Sequence, residues 1–109
     1  MAHTRWQIVL PMTYKDPERG TLGTEAQHVT YVETICGILG GGWSMVPGYG
    51  GWRGERENYR EPVRFYTFDT DVDRESVEMI MHLVAGHLKR QLYQEAVYIT
   101  ESPVIPHLY

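Results

Sequence analysis

Residues 48–61 concentrate the side chains most able to recognise a ligand. Tyr49, Trp52, Tyr59 and Glu61 stand among Gly48, Gly50, Gly51 and Gly54. Aromatic faces stack on flat heterocycles and attract cations, a carboxylate pairs with a positive group, and glycine lets the backbone approach what is bound. A second stretch, Gln94 and Glu95, follows Tyr93 and opens the last apolar run. A pocket drawing on both would suit a flat heterocycle joined to a positive group. A plainer reading fits the same residues: tyrosine and tryptophan packed over a hairpin edge, and Glu61 as a solvated strand end before Pro62. Composition leaves both open.

Other kinds of chemistry find little support. His3, His28, His82, His87 and His107 are scattered. His82 and His87 lie five apart on an expected helix, about 140° round its axis, so they do not share a face as paired metal ligands would. No CxxC, HExxH or calcium-loop spacing occurs, nor a Walker lysine or a GxGxxG after a strand. We therefore expect no metal and no cofactor. Cys36 falls on the apolar face of an expected helix and reads as a small core residue, not a nucleophile. Ser44 and Ser76 have no base beside them in sequence.

The totals describe one ordinary folded domain. The chain has 109 residues, 42% apolar and 22% charged, which places it among globular rather than disordered proteins. A net charge of −4 argues against a nucleic-acid partner, which needs a basic face. Arg53, Arg56 and Arg60 cluster, but Glu55, Glu57 and Glu61 alternate with them, as in a solvated mixed-charge loop. One cysteine excludes an internal disulfide, and MAHTRWQIVLPM lacks the pattern of a signal peptide. No run approaches a membrane span. The expectation is a soluble cytoplasmic protein.

The elements that must position these groups follow from periodicity. Trp6, Ile8, Leu10 and Met12 alternate with Gln7, Val9, Pro11 and Thr13 in a period-2 pattern, predicting a strand over 5–14 that Pro11 ends early or bulges. KDPERGTLG reads as a polar turn. Thr24 with Gln27 reads as a capping box opening a helix to about Leu39, with Ala26, Val29, Val32, Ile35, Cys36 and Leu39 on one face. Gly40, Gly41 and Gly42 end it. A second strand begins near Trp43, residues 47–61 look least regular, and a third strand covers 63–69. Asp71 or Asp73 caps a second helix carrying Val77, Ile80, Met81, Val84, Leu88 and Leu92 at i, i+3, i+4, i+7 spacing. A last strand is expected over 96–100. The order βαββαβ over residues 1–109 is the ferredoxin-like α+β pattern, a four-stranded antiparallel sheet with two helices on one face. The other face would expose aromatic residues, predicting a homo-oligomer packed through its sheets.

The layout resembles the bacteriophage S-adenosylmethionine lyases. The likeness rests on an opening strand, a helix ending in glycine, the turn PGYGG, an acidic residue opening EPVRFYTF, and a long helix running into QEAVYIT. It implies a trimer with S-adenosylmethionine held between subunits. There the substrate's own carboxylate would displace methylthioadenosine and leave homoserine lactone, with no cofactor. Carried over by position, Glu61 is the acidic residue that positions substrate and Tyr49 packs near the adenosine or sulfonium. Gln94 and Glu95 help build the pocket, with Tyr59 and Trp52 as further contacts. The resemblance implies action in the host cytoplasm, removing the methyl donor and blunting restriction. Two other readings stay open. One is a trimeric ferredoxin-like protein that binds a nucleoside without turnover. The other is an interaction module whose aromatic sheet face is its whole function.

Overall fold

The computed structural model describes residues 3–53 and 58–109. Its elements are β1 (His3–Pro11), β2 (Thr13–Asp16), β3 (Gly20–Gly23), α1 (Ala26–Gly40), β4 (Ser44–Arg53), β5 (Asn58–Thr70), α2 (Arg74–Gln91) and β6 (Ile99–Val104). Four strands form one antiparallel sheet in the order β4-β5-β1-β6. With two helices beside it, the chain is α+β and consistent with a ferredoxin-like fold.

Alternation along the strands decides where the core lies. Trp6, Ile8 and Leu10 of β1 and Tyr66 and Phe68 of β5 point to one side. There they bury with Val32 and Cys36 of α1 and Val77, Met81, Val84 and Leu88 of α2 in one apolar cluster. Both helices therefore cover the same face, as the ferredoxin-like order of elements implied. Burial pushes the Cys36 thiol up to about 12, with the Glu33 carboxylate adding to the effect, so at neutral pH it is a protonated core group.

Helix ends were read unevenly. Asp73 caps α2: its carboxylate accepts from the Ser76 backbone N–H at 3.0 Å and the Ser76 hydroxyl at 2.8 Å. Gly41 closes α1 in the left-handed region at φ 73°, its N–H donating to the Gly37 carbonyl. The Thr24–Gln27 capping box does not form. Glu25 is the N-cap and makes no side-chain capping bond, while the Thr24 hydroxyl donates instead to the Pro11 carbonyl at 2.7 Å. A tertiary acceptor has taken the hydroxyl from the helix end.

Three strand expectations need correction. First, β1 stops at Pro11, and 15–23 is not a mere turn: with 13–14 it forms a hairpin, β2 on β3, pairing Thr13 with Gly23 through Asp16 with Gly20. That hairpin interrupts the expected βαββαβ succession. The Asp16 carboxylate ties its turn by accepting from the Glu18 and Arg19 backbone N–H groups. Second, 47–53 and 58–61 are not irregular: β4 and β5 pair continuously from Ser44–Thr67 to Arg53–Asn58. Beyond Pro11–Val63 and a Met12 N–H bond to the Pro62 carbonyl, β4 and β5 run on as a two-stranded arm among the described residues, and the long axis reaches 47 Å against 25 Å across. Gly54, Glu55, Arg56 and Glu57 lie outside the described residues, so the mixed-charge loop expected there is described only through Arg53, Arg60 and Glu61. Third, the last strand is 99–104, not 96–100. Pro103 is accommodated because β6 is an edge strand.

The sheet face away from the helices carries Arg5, Gln7, Val46, Phe65, Thr67 and Asp69, and continues along β4 and β5 to the exposed rings of Tyr59 and Trp52, while Trp6, Tyr66 and Phe68 turn toward the helices. Arg5 and Asp69 sit opposite each other in the register and form a two-bond ion pair, Nε–Oδ1 2.7 Å and Nη2–Oδ2 2.9 Å.

Candidate functional site

The arm carries four of the six residues singled out from sequence, and its pleat divides them. Trp52 pairs with Tyr59 and Gly50 with Glu61, so Trp52, Tyr59 and Glu61 share the face of Val63 and Phe65. Across that face the Trp52 indole N–H donates to Glu61 Oε1 at 2.7 Å. Glu61 makes no ion pair among the described residues, so its second oxygen can meet an incoming cation. The ring of Trp52 holds the carboxylate in place while staying 40% exposed.

Tyr49 is on the opposite face. It pairs with Pro62, one residue out of step with Glu61, and the Arg60 guanidinium lies 4.3 Å from its ring centroid. A cation already rests on this ring, which shows that it can accept one. Within a single chain Tyr49 and Glu61 therefore cannot contact one compact ligand together.

The glycines of the arm serve the protein before any ligand. A Cβ on Gly48 would stand 2.8 Å from Phe65 Cε2, because the Phe65 ring folds across β4 at that point. Gly50 is similarly faced by Val63 Cγ1 at 3.2 Å. Two of the positions read as room for a ligand are thus filled from the neighbouring strand.

Gln94 and Glu95 lie elsewhere. They lie in the connection between α2 and β6, and β6 is the edge strand on the opposite side of the sheet from β4. The Gln94 backbone N–H donates to the Lys89 carbonyl and its side-chain amide to the Leu92 carbonyl, both at 3.0 Å. The six residues thus fall in three separate places: the Glu61 face of the arm, its Tyr49 face, and the Gln94–Glu95 corner.

Several features went unread in the sequence. Near the Gln94 corner the Tyr14 hydroxyl donates to Glu25 Oε1 at 2.5 Å, and Glu25 Oε2 lies 3.5 Å from His28 Nε2. Glu25 holds the Tyr14 phenol above its usual range, and the same bond lowers the Glu25 carboxyl. His28 is buried, and His87 packs on Tyr31 with ring centroids 4.5 Å apart. The i, i+3 spacing of Glu25 and His28 was the available signal, obscured by reading Thr24 as the cap. Two surface cavities also form. One of about 490 Å³ lies beside Trp43, Gly40, Arg5 and Asp69, and one of about 380 Å³ lies between α2 and β6 over Trp6, Met81 and Ile99. Neither is lined by the six residues. Among the described residues no three His, Cys, Asp or Glu side chains gather in a way that could hold a metal ion. No helix is long and apolar enough to cross a membrane.

The Arg5–Asp69 pair beside the larger cavity gives a pH dependence. Its hydrogen bonds to Arg5, then the charge of Arg5, hold the Asp69 carboxyl below the usual range. A lowered folded-state value contributes stability above the unfolded value, about 3.9, that is lost as pH falls through the folded one. The expected result is that Asp69→Asn melts lower at pH 7, with the difference shrinking below about pH 4. Thermal melts from pH 2 to 7 check it.

No protein-family model matches the chain, and no curated protein matches it in sequence. Solved structures do match. One is a phage SAM lyase in complex with S-methyl-5'-thioadenosine, at TM-score 0.67 and 12% identity over 92% of this chain and 80% of that one. Another is a phage SAM lyase in the apo state, at TM-score 0.57 and 14% identity over 99% and 91%. The chain shares the fold of these lyases, so the resemblance drawn from PGYGG, EPVRFYTF and QEAVYIT has a structural counterpart along nearly its whole length.

Proposed function

We propose that the protein cleaves S-adenosylmethionine to methylthioadenosine and homoserine lactone, in a homotrimer whose sites lie between subunits. The observation that carries this reading is the fold shared with a phage SAM lyase that holds S-methyl-5'-thioadenosine. Setting the β2–β3 hairpin aside, we read the chain as a βαββαβ core to which that hairpin is added.

The reaction closes without a cofactor. A substrate carboxylate oxygen attacks the carbon γ to it, the C–S bond breaks, and its electron pair returns to sulfur. The five-membered lactone keeps the ammonium, and no proton need move. Carboxylate and sulfonium lose their opposite charges as the transition state forms, so a site that excludes water favours the step. A protein carboxylate beside the sulfonium would stabilise the ground state more than the transition state. Glu61 is better used on the ammonium, whose charge persists throughout. Anchoring that end bends the substrate so that oxygen and carbon align, and such alignment can remove roughly 7–11 kcal/mol of a barrier.

The opposite orientations of Tyr49 and Glu61 support sites built from two chains. A ligand touching both needs the Glu61 face of one arm and the Tyr49 face of another, with Gln94 and Glu95 completing the pocket. Depleting the host's methyl donor in its cytoplasm, and so blunting restriction, follows as the biological role.

Purified protein incubated with S-adenosylmethionine should yield methylthioadenosine and homoserine lactone by mass spectrometry. Intact substrate together with a ligand-induced rise in Tm would favour a nucleoside sensor. Neither product nor shift would leave an interaction module. A mixing experiment tests the shared site. Tyr49→Ala and Glu61→Gln should each be strongly impaired, and refolding them together should restore about one quarter of parental activity, the share of randomly paired sites with both residues intact. A mixture as impaired as its components would place both residues in one chain's site and overturn the two-chain pocket.

A further inference from the structure

Tyr93 stands where the chain leaves α2, and its backbone is left-handed at φ 49°. It is the one non-glycine residue with positive φ among the described residues. The local pattern is a helix-terminating closure: the Gln94 N–H reaches back to the Lys89 carbonyl at 3.0 Å. Glycine usually fills that position, because a Cβ there crowds the following carbonyl. Strained non-glycine residues persist where their surroundings over-determine them, and they gather at ligand clamps.

The surroundings of this ring are specific. One face stacks on Tyr14, with centroids 6.2 Å apart and planes 21° from parallel. Tyr14 is itself a fixed support, 5% exposed and bonded through its hydroxyl to Glu25. Tyr93 nevertheless remains 54% exposed, so its second face is open. Gln94 and Glu95 follow directly. The Gln94 side-chain amide already donates to the Leu92 carbonyl, and its carbonyl oxygen remains an acceptor one residue after Tyr93. A flat heterocycle lying on Tyr93 and offering an exocyclic amine to Gln94 would satisfy both.

We propose that Tyr93, backed by Tyr14, is the stacking platform for the nucleobase of the ligand that Gln94 and Glu95 help hold. This assignment rests on the S-adenosylmethionine reading above, and it adds the residue that selects the base rather than the sulfonium.

The test separates base recognition from folding. Affinities for S-methyl-5'-thioadenosine and for base-free methylthioribose are measured by calorimetry on the parent, Tyr93→Phe, Tyr93→Asn and Tyr93→Leu, with Tm alongside. Asparagine tolerates the left-handed backbone, and leucine keeps apolar cover on Tyr14 without a ring. The parent should prefer the nucleoside, and Tyr93→Phe should keep that preference. Both ringless variants should bind the nucleoside roughly tenfold or more weakly, as for loss of a base–aromatic stack, with methylthioribose binding unchanged. An unchanged preference in a folded ringless variant overturns the platform while leaving the lyase reading intact. A parent that neither binds the nucleoside nor cleaves S-adenosylmethionine overturns both.

Discussion

Under the proposed lyase function, Glu61→Gln is expected to lower turnover of S-adenosylmethionine by about a hundredfold, by releasing the substrate's ammonium end from the anchor proposed for it. The substitution keeps shape and the hydrogen bond from Trp52, since a glutamine carbonyl also accepts at 2.7 Å. It removes only charge. Glu61 is half-exposed on a two-stranded arm, outside the apolar cluster, so its change should leave Tm within a degree or two. The signature is therefore selective: methylthioadenosine formation falls while the melting curve does not move. Because the ammonium keeps its charge through the reaction, its anchor acts on binding and alignment together, so KM should rise as kcat falls. Steady-state kinetics by product quantification checks this. Parental kcat and KM in Glu61→Gln would remove Glu61 from the site.

Phe68→Ala is expected to cost about 3–5 kcal/mol, the range for deleting a buried aromatic side chain. Phe68 is 2% exposed, pairs with Trp6 across β5 and β1, and lies where α1 ends. A Cβ on Gly40 would come within 2.9 Å of Phe68 Cβ and 3.1 Å of the Asp69 carbonyl, so helix and strand already touch there backbone to backbone. Such a contact cannot collapse into the space left by the ring, so the cavity persists and the cost sits high in its range. For a domain of this size that is a fall in Tm of at least about 12 °C. Urea unfolding of both proteins measures the difference, with the slope expected to stay the same. A loss under 1 kcal/mol would mean that the α1–β5 contact relaxes freely.

These two substitutions mark the division between arm and body. The body is a packed helix–sheet sandwich whose energetics follow from burial. The arm has little cover of its own: Tyr49 is 63% exposed, Tyr59 52% and Trp52 40%. Exposed aromatics on both faces of a ribbon are what an element inserted between neighbouring copies would carry. In this reading, binding and assembly are one event.

How much of this was legible beforehand depended on the range of the interaction. The two helices were readable because their signals are local. Val77, Met81, Val84 and Leu88 repeat at helical spacing, Asp73 caps three residues before its donor, and glycine closes α1. The alternation of Trp6, Ile8 and Leu10 likewise announced a buried strand face. Where a local signal had a distant competitor it misled: the Thr24 hydroxyl found the Pro11 carbonyl rather than its own helix.

For the candidate site, sequence supplied residue types and tertiary structure supplied their partners. Glu61, Tyr49, Trp52, Tyr59, Gln94 and Glu95 could be nominated because aromatic, acidic and amide groups are recognisable one at a time. The strand register then placed Trp52 on Glu61 and turned Tyr49 to the other face, since the pleat reverses direction at every residue. It also filled the room beside Gly48 with Phe65, and set Tyr93 against Tyr14 across 79 positions of chain. The sequence by itself determined the class of fold and the chemistry available. Only the tertiary structure decided which groups meet, because pairing across strands depends on register, and register is a property of two segments at once.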